Sequence, residues 1–271
     1  MSAASPRTTT ATTAARAQRR TNAAATMRST LPAGAAFGHG PHPPATRSDT
    51  VDCVSNESSS APGQRDVMSV YDAIRMRRDV RAEFTGDRID EEQLNRILRA
   101  GHNAPSVGNT QPWDFVVVQD RGTLDTFAEH VAGCRRAFAD SLPPERRATF
   151  DPIKVEGIQE SGTGIVVTYD PSRGGANILG RHTVDDTGVF SAVLAIQNIW
   201  LSAVAEGIGV GWVSFYDEAF LTELVRVPAP VRPIAWLCVG PVSQFQETPD
   251  LVRFGWRDGR PLEEAIHRET F

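Results

Sequence analysis

"TGVFSAVLAIQNIWLSAVAEGIGVGWVSFY", residues 187–216, is the stretch on which the fold turns. Its first part, 187–207, carries apolar residues on nearly every side of a helix. A helix of that kind belongs at the centre of a large core or in a subunit interface, not on a surface. Gly207 and Gly209 are expected to end it. "VGWVSFY" then reads as a strand, with Ser214 emerging at its end.

Working outward, a helix is expected at 217–226 and an apolar strand at 233–242. Upstream, "GIVVTYD" (164–170) and "DFVVVQD" (114–120) read as strands, the latter as a continuous-apolar strand buried on both faces. Helices are expected at 123–140 and 144–160. "IDEEQLNRILRAGHNAP" (89–105) reads as a helix capped by Asp90 and stopped by Pro105, with Leu94, Ile97 and Leu98 on one face. Ser69 and Asp72 make a capping signal for a short first helix ending near Arg78. The segment 171–186 between strand and long helix is a loop of the length that usually has a job. Helices alternating with about four apolar strands give an α/β or α+β class, with a central sheet covered by helices on both faces.

Residues 1–65 are rich in Ala, Thr, Ser, Arg and Pro and carry no acid before Asp49. Such a segment cannot bury enough apolar surface to offset its ordering entropy, so it is expected to be a disordered extension. A transit peptide, a flexible tail and a later start at Met27 or Met68 all remain open. Residues 66–271 are enough for one domain with a substantial core. The net charge of −5 excludes a general nucleic-acid binder. The longest apolar run, around 189–205, is broken by Ser191, Gln197, Asn198 and Ser202, so no membrane span is expected. Cys53, Cys134 and Cys238 are few, odd in number and widely spaced, which argues against a disulfide framework and against a zinc site. The six histidines show no ligand spacing such as HExxH. The expected class is a cytoplasmic, metal-free globular protein.

Three stretches carry polar residues that chemistry could use. In "RMRRDVRAEF" (76–85), Arg77, Arg78 and Arg81 surround one acid, Asp79. Planar guanidinium forks suit a phosphate dianion, and a solvated basic helix end is the plainer reading. In "APSVGNTQPW" (104–113), Ser106 and Asn109 flank Gly108 in a loop entering a strand. They could read the edge of a planar heterocycle or close an ordinary turn. In "EGIGVGWVSFYD" (206–217), Gly207, Gly209 and Gly211 let backbone approach something flat or simply pack close. No G-x-S-x-G surrounds Ser214, so a hydrolase nucleophile is excluded.

In this order the three stretches resemble the nitroreductase-like flavoprotein family, over about residues 69–257. Within that family the chain is similar to the 5,6-dimethylbenzimidazole synthase subgroup, on "RRDVR", "APSVG", "QPW", "AIQNIWLSAVAEGIGVGWVSFY", "IAWLCVGPV" and the Gly-Trp-Arg at 255–257. The resemblance implies an α+β homodimer with FMN at the dimer interface. It implies that reduced FMN is the substrate and dioxygen the co-substrate, with NAD(P)H entering only through a separate flavin reductase. The implied products are 5,6-dimethylbenzimidazole, the lower ligand of cobalamin, and erythrose 4-phosphate. Catalytic roles are implied for Asp79 as base or orienting acceptor and for Ser214 as a hydrogen-bonding partner of the flavin. FMN contacts are implied at Arg77, Arg78, Asp79, Val80, Arg81, Ser106, Gly108, Asn109, Val155, Ser214 and Arg257. Asn109 departs from the subgroup and matches the wider family.

The acid among the arginines is the informative departure from an ordinary nitroreductase, which usually has Ser at that place. A carboxylate would weaken a pure phosphate grip, so Asp79 either balances a spare arginine or faces the flavin. The neighbouring arginines should favour its charged form. Segment 135–160 is the expected lid, since oxygen chemistry needs water kept out. Two other functions remain open: an NAD(P)H-dependent nitro- or flavin reductase that keeps its FMN intact, and a non-catalytic flavin-binding module.

Overall fold

The computed structural model describes residues 68–271; the expected N-terminal extension 1–65, with Cys53, lies outside the described residues. The elements run α1 (Val70–Met76), α2 (Glu91–His102), β1 (Phe115–Val118), α3 (Arg121–Asp140), α4 (Pro144–Phe150), α5 (Ile158–Ser161), β2 (Gly164–Tyr169), α6 (Thr187–Ala205), β3 (Ile208–Val213), α7 (Glu218–Leu224), β4 (Arg232–Pro241) and α8 (Asp250–Arg253). The class is α+β. The four strands form one antiparallel sheet in the order β1-β2-β4-β3.

The expected caps do their work. Ser69 accepts from the Asp72 amide, and Asp90 accepts from the amides of Glu92 and Gln93. Each satisfies donors that the first helical turn leaves orphaned. The first helix stops at Met76, slightly before Arg78. Helix α6 ends at Ala205, and Gly207 takes the left-handed conformation (φ +74°) that turns the chain into β3. Gly209 lies inside β3 rather than in the turn.

Sheet alternation divides the core in two. Ile165 and Val167 of β2, Leu237 and Val239 of β4 and Val210 of β3 pack with α2 and α6. Val166, Trp236, Cys238 and Val213 point the other way, toward α3 and α7. Both faces are therefore covered, as expected. By length and composition α6 is apolar enough to cross a membrane, but half of that stretch is buried within the fold. Its other side carries exposed Phe190, Val193 and Leu194.

Two expectations fail. Among the described residues strand β1 is an edge strand, paired only with β2, and Val117 is 39% exposed. Its apolar run could not reveal that one side lacks a neighbour. The helix expected over 144–160 is two short helices, α4 and α5, separated by an unwound stretch. Pro152 cannot donate to a helical ladder, and the β-branched Ile153 and Val155 lose rotamer freedom in a helix.

Trp236 of β4 is fully buried, stacks on Phe127 at 3.9 Å, and fills the space above Gly164 that a Cβ there would need. Trp236→Ala should lower stability by about 3–5 kcal/mol. Urea denaturation followed by far-UV circular dichroism would check this.

Candidate active site

The segment after α1 is fixed by α6 and β3. The indole of Trp200, on α6, donates to the Arg78 carbonyl at 3.0 Å, and the Arg77 guanidinium lies over its ring at 4.9 Å. The chain then runs along the outer edge of β3. The Val80 amide donates to the Val210 carbonyl at 3.0 Å, in a parallel bridge between Asp79 and Val210. Farther along, Phe84 bridges Val242 in antiparallel sense.

The Asp79 side chain finishes that edge. One carboxylate oxygen accepts the Trp212 amide at 2.8 Å. Both oxygens accept from Arg81, at 2.7 and 2.6 Å, in a bidentate pair. Arg81 is spent further on the carbonyls of Trp212 (2.6 Å) and Val80 (3.0 Å). The expected grip of three arginines is thus two arginines and an ion pair. Arg81 balances Asp79 internally, while Arg77 and Arg78 are not paired with it.

The expectation that the arginines would hold Asp79 in its charged form also needs correcting. Burial pushes the Asp79 carboxyl above the ordinary carboxylate value, outweighing Arg81, the Trp212 amide and Arg77, which all pull it down. Arg81 is 8% exposed, yet Asp79 still presents 49% of its side chain. The carboxylate is therefore deep in the protein but open to a cavity, and its desolvation is completed only when something fills that cavity.

The cavity measures about 330 Å³. Arg77, Arg78, Asp79, Val80, Arg81, Val155 and Ser214 all line it. Arg78 donates to the carbonyls of Arg75, Arg77 and Glu247, but its Nε is buried without a partner. Ile153, Lys154 and Val155 enter from the unwound stretch between α4 and α5. Sequence reading missed Glu83, Lys154, Trp212 and Asp250, which line it too. Glu83 accepts from Gln246 at 2.9 Å. Asp250 sits above the ordinary carboxylate range through burial, opposed by Arg253 and reinforced by Glu83. The available signal for Glu83 was its place in the arginine motif; for Asp250, its closeness to the Gly-Trp-Arg.

Of the expected lid segment 135–160, Ile153, Lys154 and Val155 line the cavity. Phe138, Phe150, Phe215 and Trp256 form an aromatic cluster, with Phe138–Phe150 centroids at 5.0 Å and Phe138–Phe215 at 5.5 Å. The Arg146 guanidinium covers Trp256 at 3.8 Å. This cluster ties α3, α4 and the C-terminal segment to the residue after Ser214.

Four expected site residues are not on the cavity: Ser106, Gly108, Asn109 and Arg257. Arg257 is exposed. Ser106 accepts from the Gln111 amide at 2.9 Å, an ordinary turn contact. Gly108 and Asn109 hold φ of +55° and +53°. A serine of α6, Ser191, accepts the Val107 amide at 3.0 Å and anchors this loop. Exposed Leu179 and Phe190 belong to the neighbouring loop and to α6.

The chain matches the family model described as the nitroreductase family over residues 74–241. It is 39% identical over 185 residues to 5,6-dimethylbenzimidazole synthase of Rhodospirillum rubrum, covering 68% of this chain and 87% of that protein. Among solved structures it is similar to iodotyrosine deiodinase bound to FMN and 3-iodo-L-tyrosine (TM-score 0.60, 20% identity, covering 75% of this chain and 100% of that one). It is also similar to a BluB-like flavoprotein from Clostridium difficile 630 (TM-score 0.57, 19% identity, covering 75% and 100%). At those identities the two structures bear on the fold.

The Arg81–Asp79 pair lies so close to β3 that a Cβ on Gly211 would fall 2.1 Å from Arg81 Nη1 and 2.2 Å from the Val80 carbonyl. Gly211→Ala should dislodge the pair and lower stability by about 1–3 kcal/mol. Gly133→Ala, on helix α3 where a Cβ meets nothing nearer than 3.8 Å, should instead raise it by about 0.5–1 kcal/mol. Parallel urea titrations would measure both.

Proposed function

Because the chain belongs to the nitroreductase family, we propose that its cavity takes reduced FMN and that the protein fragments it with dioxygen to 5,6-dimethylbenzimidazole. The observation that carries this reading is the Asp79 carboxylate, oriented by Arg81 and open on a cavity that Arg77, Arg78, Glu83 and Asp250 also line. A storage site or an intact-cofactor reductase gains nothing from an acid there. The 39% identity to a synthase supports the same reaction.

The residues present fit the ligand. The buried, unpartnered Arg78 Nε is a donor that a phosphate oxygen would satisfy. Arg77, Arg78 and Lys154 would hold the phosphate. Ser214 would donate to the ring system, and Val155 with Ile153 and Phe215 would keep water from it. Bound there, reduced FMN supplies the carbon skeleton of the product and the electrons that dioxygen accepts. Asp79 would take and return a proton at the ribityl chain. Its proton affinity, raised by burial, brings it nearer the working range for proton transfer. Arg81 is a positioning residue: its two bonds fix which way both Asp79 oxygens point.

One protomer supplies only part of the site. A cavity of about 330 Å³ is at the small end for a cofactor pocket. Ser106, Gly108 and Asn109 are assigned to the flavin of a second copy, in a cytoplasmic homodimer. The exposed apolar residues Val70, Tyr71 and Ile74 of α1 and Phe190, Val193 and Leu194 of α6 would form its interface. A separate flavin reductase would supply the reduced FMN at the expense of NAD(P)H.

Anaerobic mixing with chemically reduced FMN, followed by air, should yield a benzimidazole of the expected mass and loss of flavin absorbance. Quantitative return of oxidised FMN would overturn the reading in favour of a reductase or a binding module. Asp79→Asn should retain FMN while slowing fragmentation by about 10²–10⁴-fold; product at the wild-type rate would remove Asp79 from the mechanism.

For the assembly, light scattering should give a dimer. The double variant Phe190→Asp, Leu194→Asp should be monomeric and lose tight FMN binding. A monomeric wild type that binds FMN tightly would reject the shared site.

A further inference from the structure

A second cluster of reactive side chains lies apart from the cavity, between α3 and α7. His130 and Cys134 are one helical turn apart on α3, and Asp217 is the residue capping α7. The His130 Nε2 lies 3.6 Å from Cys134 Sγ and 3.4 Å from Asp217 Oδ2. All three donor atoms fall within 4.8 Å of one another.

These separations have a definite meaning. A tetrahedral zinc site with metal–ligand bonds of about 2.0–2.3 Å has ligand–ligand edges of roughly 3.3–3.8 Å. Two of the three edges here already have that length. The imidazole is held in place by stacking flat on Phe220, with centroids 3.7 Å apart and planes 4° apart. Asp217 is largely exposed, so its carboxylate can swing to close the third edge.

The donor chemistry is equally specific. Thiolate, imidazole and carboxylate together suit a borderline-soft divalent cation and not calcium or magnesium, which prefer all-oxygen sites. In the structure the Asp217 amide donates to the same His130 nitrogen at 3.1 Å. A metal must displace that hydrogen bond and the Cys134 contact to the same nitrogen, and forms three coordinate bonds in their place. A concave surface lined by His130, Cys134, Gly133, Glu129 and Arg136 opens two of the three donors to solvent.

We propose that His130, Cys134 and Asp217 bind one divalent cation of the zinc class. Asp217 is three residues beyond Ser214 in sequence. The metal would therefore clip α3 to the segment that leads away from the cavity wall. It is a structural clip, distinct from the flavin reaction and independent of it.

The test uses the full, untagged chain after chelation and dialysis. Titration with cobalt(II) should produce a thiolate-to-cobalt charge-transfer band that saturates at one equivalent. Zinc should displace it. Zinc at about a hundredfold excess over its dissociation constant should raise the melting temperature by about 5 °C or more. Cys134→Ser should abolish the charge-transfer band, and His130→Ala should weaken zinc binding by more than about 100-fold. Cys53→Ser, remote in sequence, should change neither. Circular dichroism would establish that each variant is folded, and Asp217→Asn provides a mild third substitution expected to weaken binding as well. Absence of a thiolate–cobalt band in wild type would overturn the proposal. So would zinc binding of unchanged stoichiometry and affinity in folded Cys134→Ser and His130→Ala.

Discussion

Strand β3 lies at the edge of the sheet, and a bare edge offers unpaired backbone groups to any passing chain. Here the segment after α1 covers it, by one backbone bridge at Val210 and one carboxylate contact at Trp212. The fit requires Gly211, because the Arg81 guanidinium and the Val80 carbonyl occupy the space of a side chain. Arg81 then reaches across to the Trp212 carbonyl. The bonds that protect the sheet are thus the same ones that orient Asp79. Stability and site geometry cannot be altered separately at these residues.

That arrangement also explains how an acid can stand among arginines. A bidentate pair cancels one charge of each sign locally, so Asp79 and Arg81 together are nearly neutral toward a distant anion. Arg77 and Arg78 stay outside that pair on the cavity wall. Removing Arg81 alone would leave a buried carboxylate without its partner, which is far worse than removing the pair. Pairing and burial act in opposite directions on the Asp79 proton, and burial prevails. A ligand that displaces the remaining water would strengthen that bias.

What could be read from the sequence followed from local rules. The caps at Ser69 and Asp90 are short-range hydrogen bonds, and the apolar pattern of α6 is a periodicity; both survive in the structure. The arginine motif, Val155 and Ser214 meet at one cavity although 137 positions separate Arg77 from Ser214 (214 − 77). Residues 151–157 misled because the helical signals on either side hid a proline break. The commitment of Arg81 to Asp79 was illegible, since which of three arginines pairs is decided by backbone geometry at Trp212. The edge position of β1 was hidden for a similar reason: neighbours in a sheet are set by topology, not by the strand's own residues. The pairing of His130 with Cys134 follows helical spacing, but Asp217 joins them only through tertiary packing.

Helix α6 links these separate parts. Near one end, Trp200 holds the Arg78 carbonyl and supports Arg77. Near the other, Ser191 holds the Val107 amide and so the loop bearing Ser106, Gly108 and Asn109. They are nine positions apart (200 − 191), which on an α-helix is a rigid separation of about 13–14 Å. Both segments are therefore registered on one rod, whose inner face is core and whose outer face carries exposed Phe190, Val193 and Leu194. A helix apolar on nearly every side satisfies two demands at once. The inward side holds the sheet and both motifs, and the outward side is the face proposed above to meet a second copy. If the site is shared between two copies, the spacing of its halves is set by this helix, and only the docking of one α6 region against another remains to be specified.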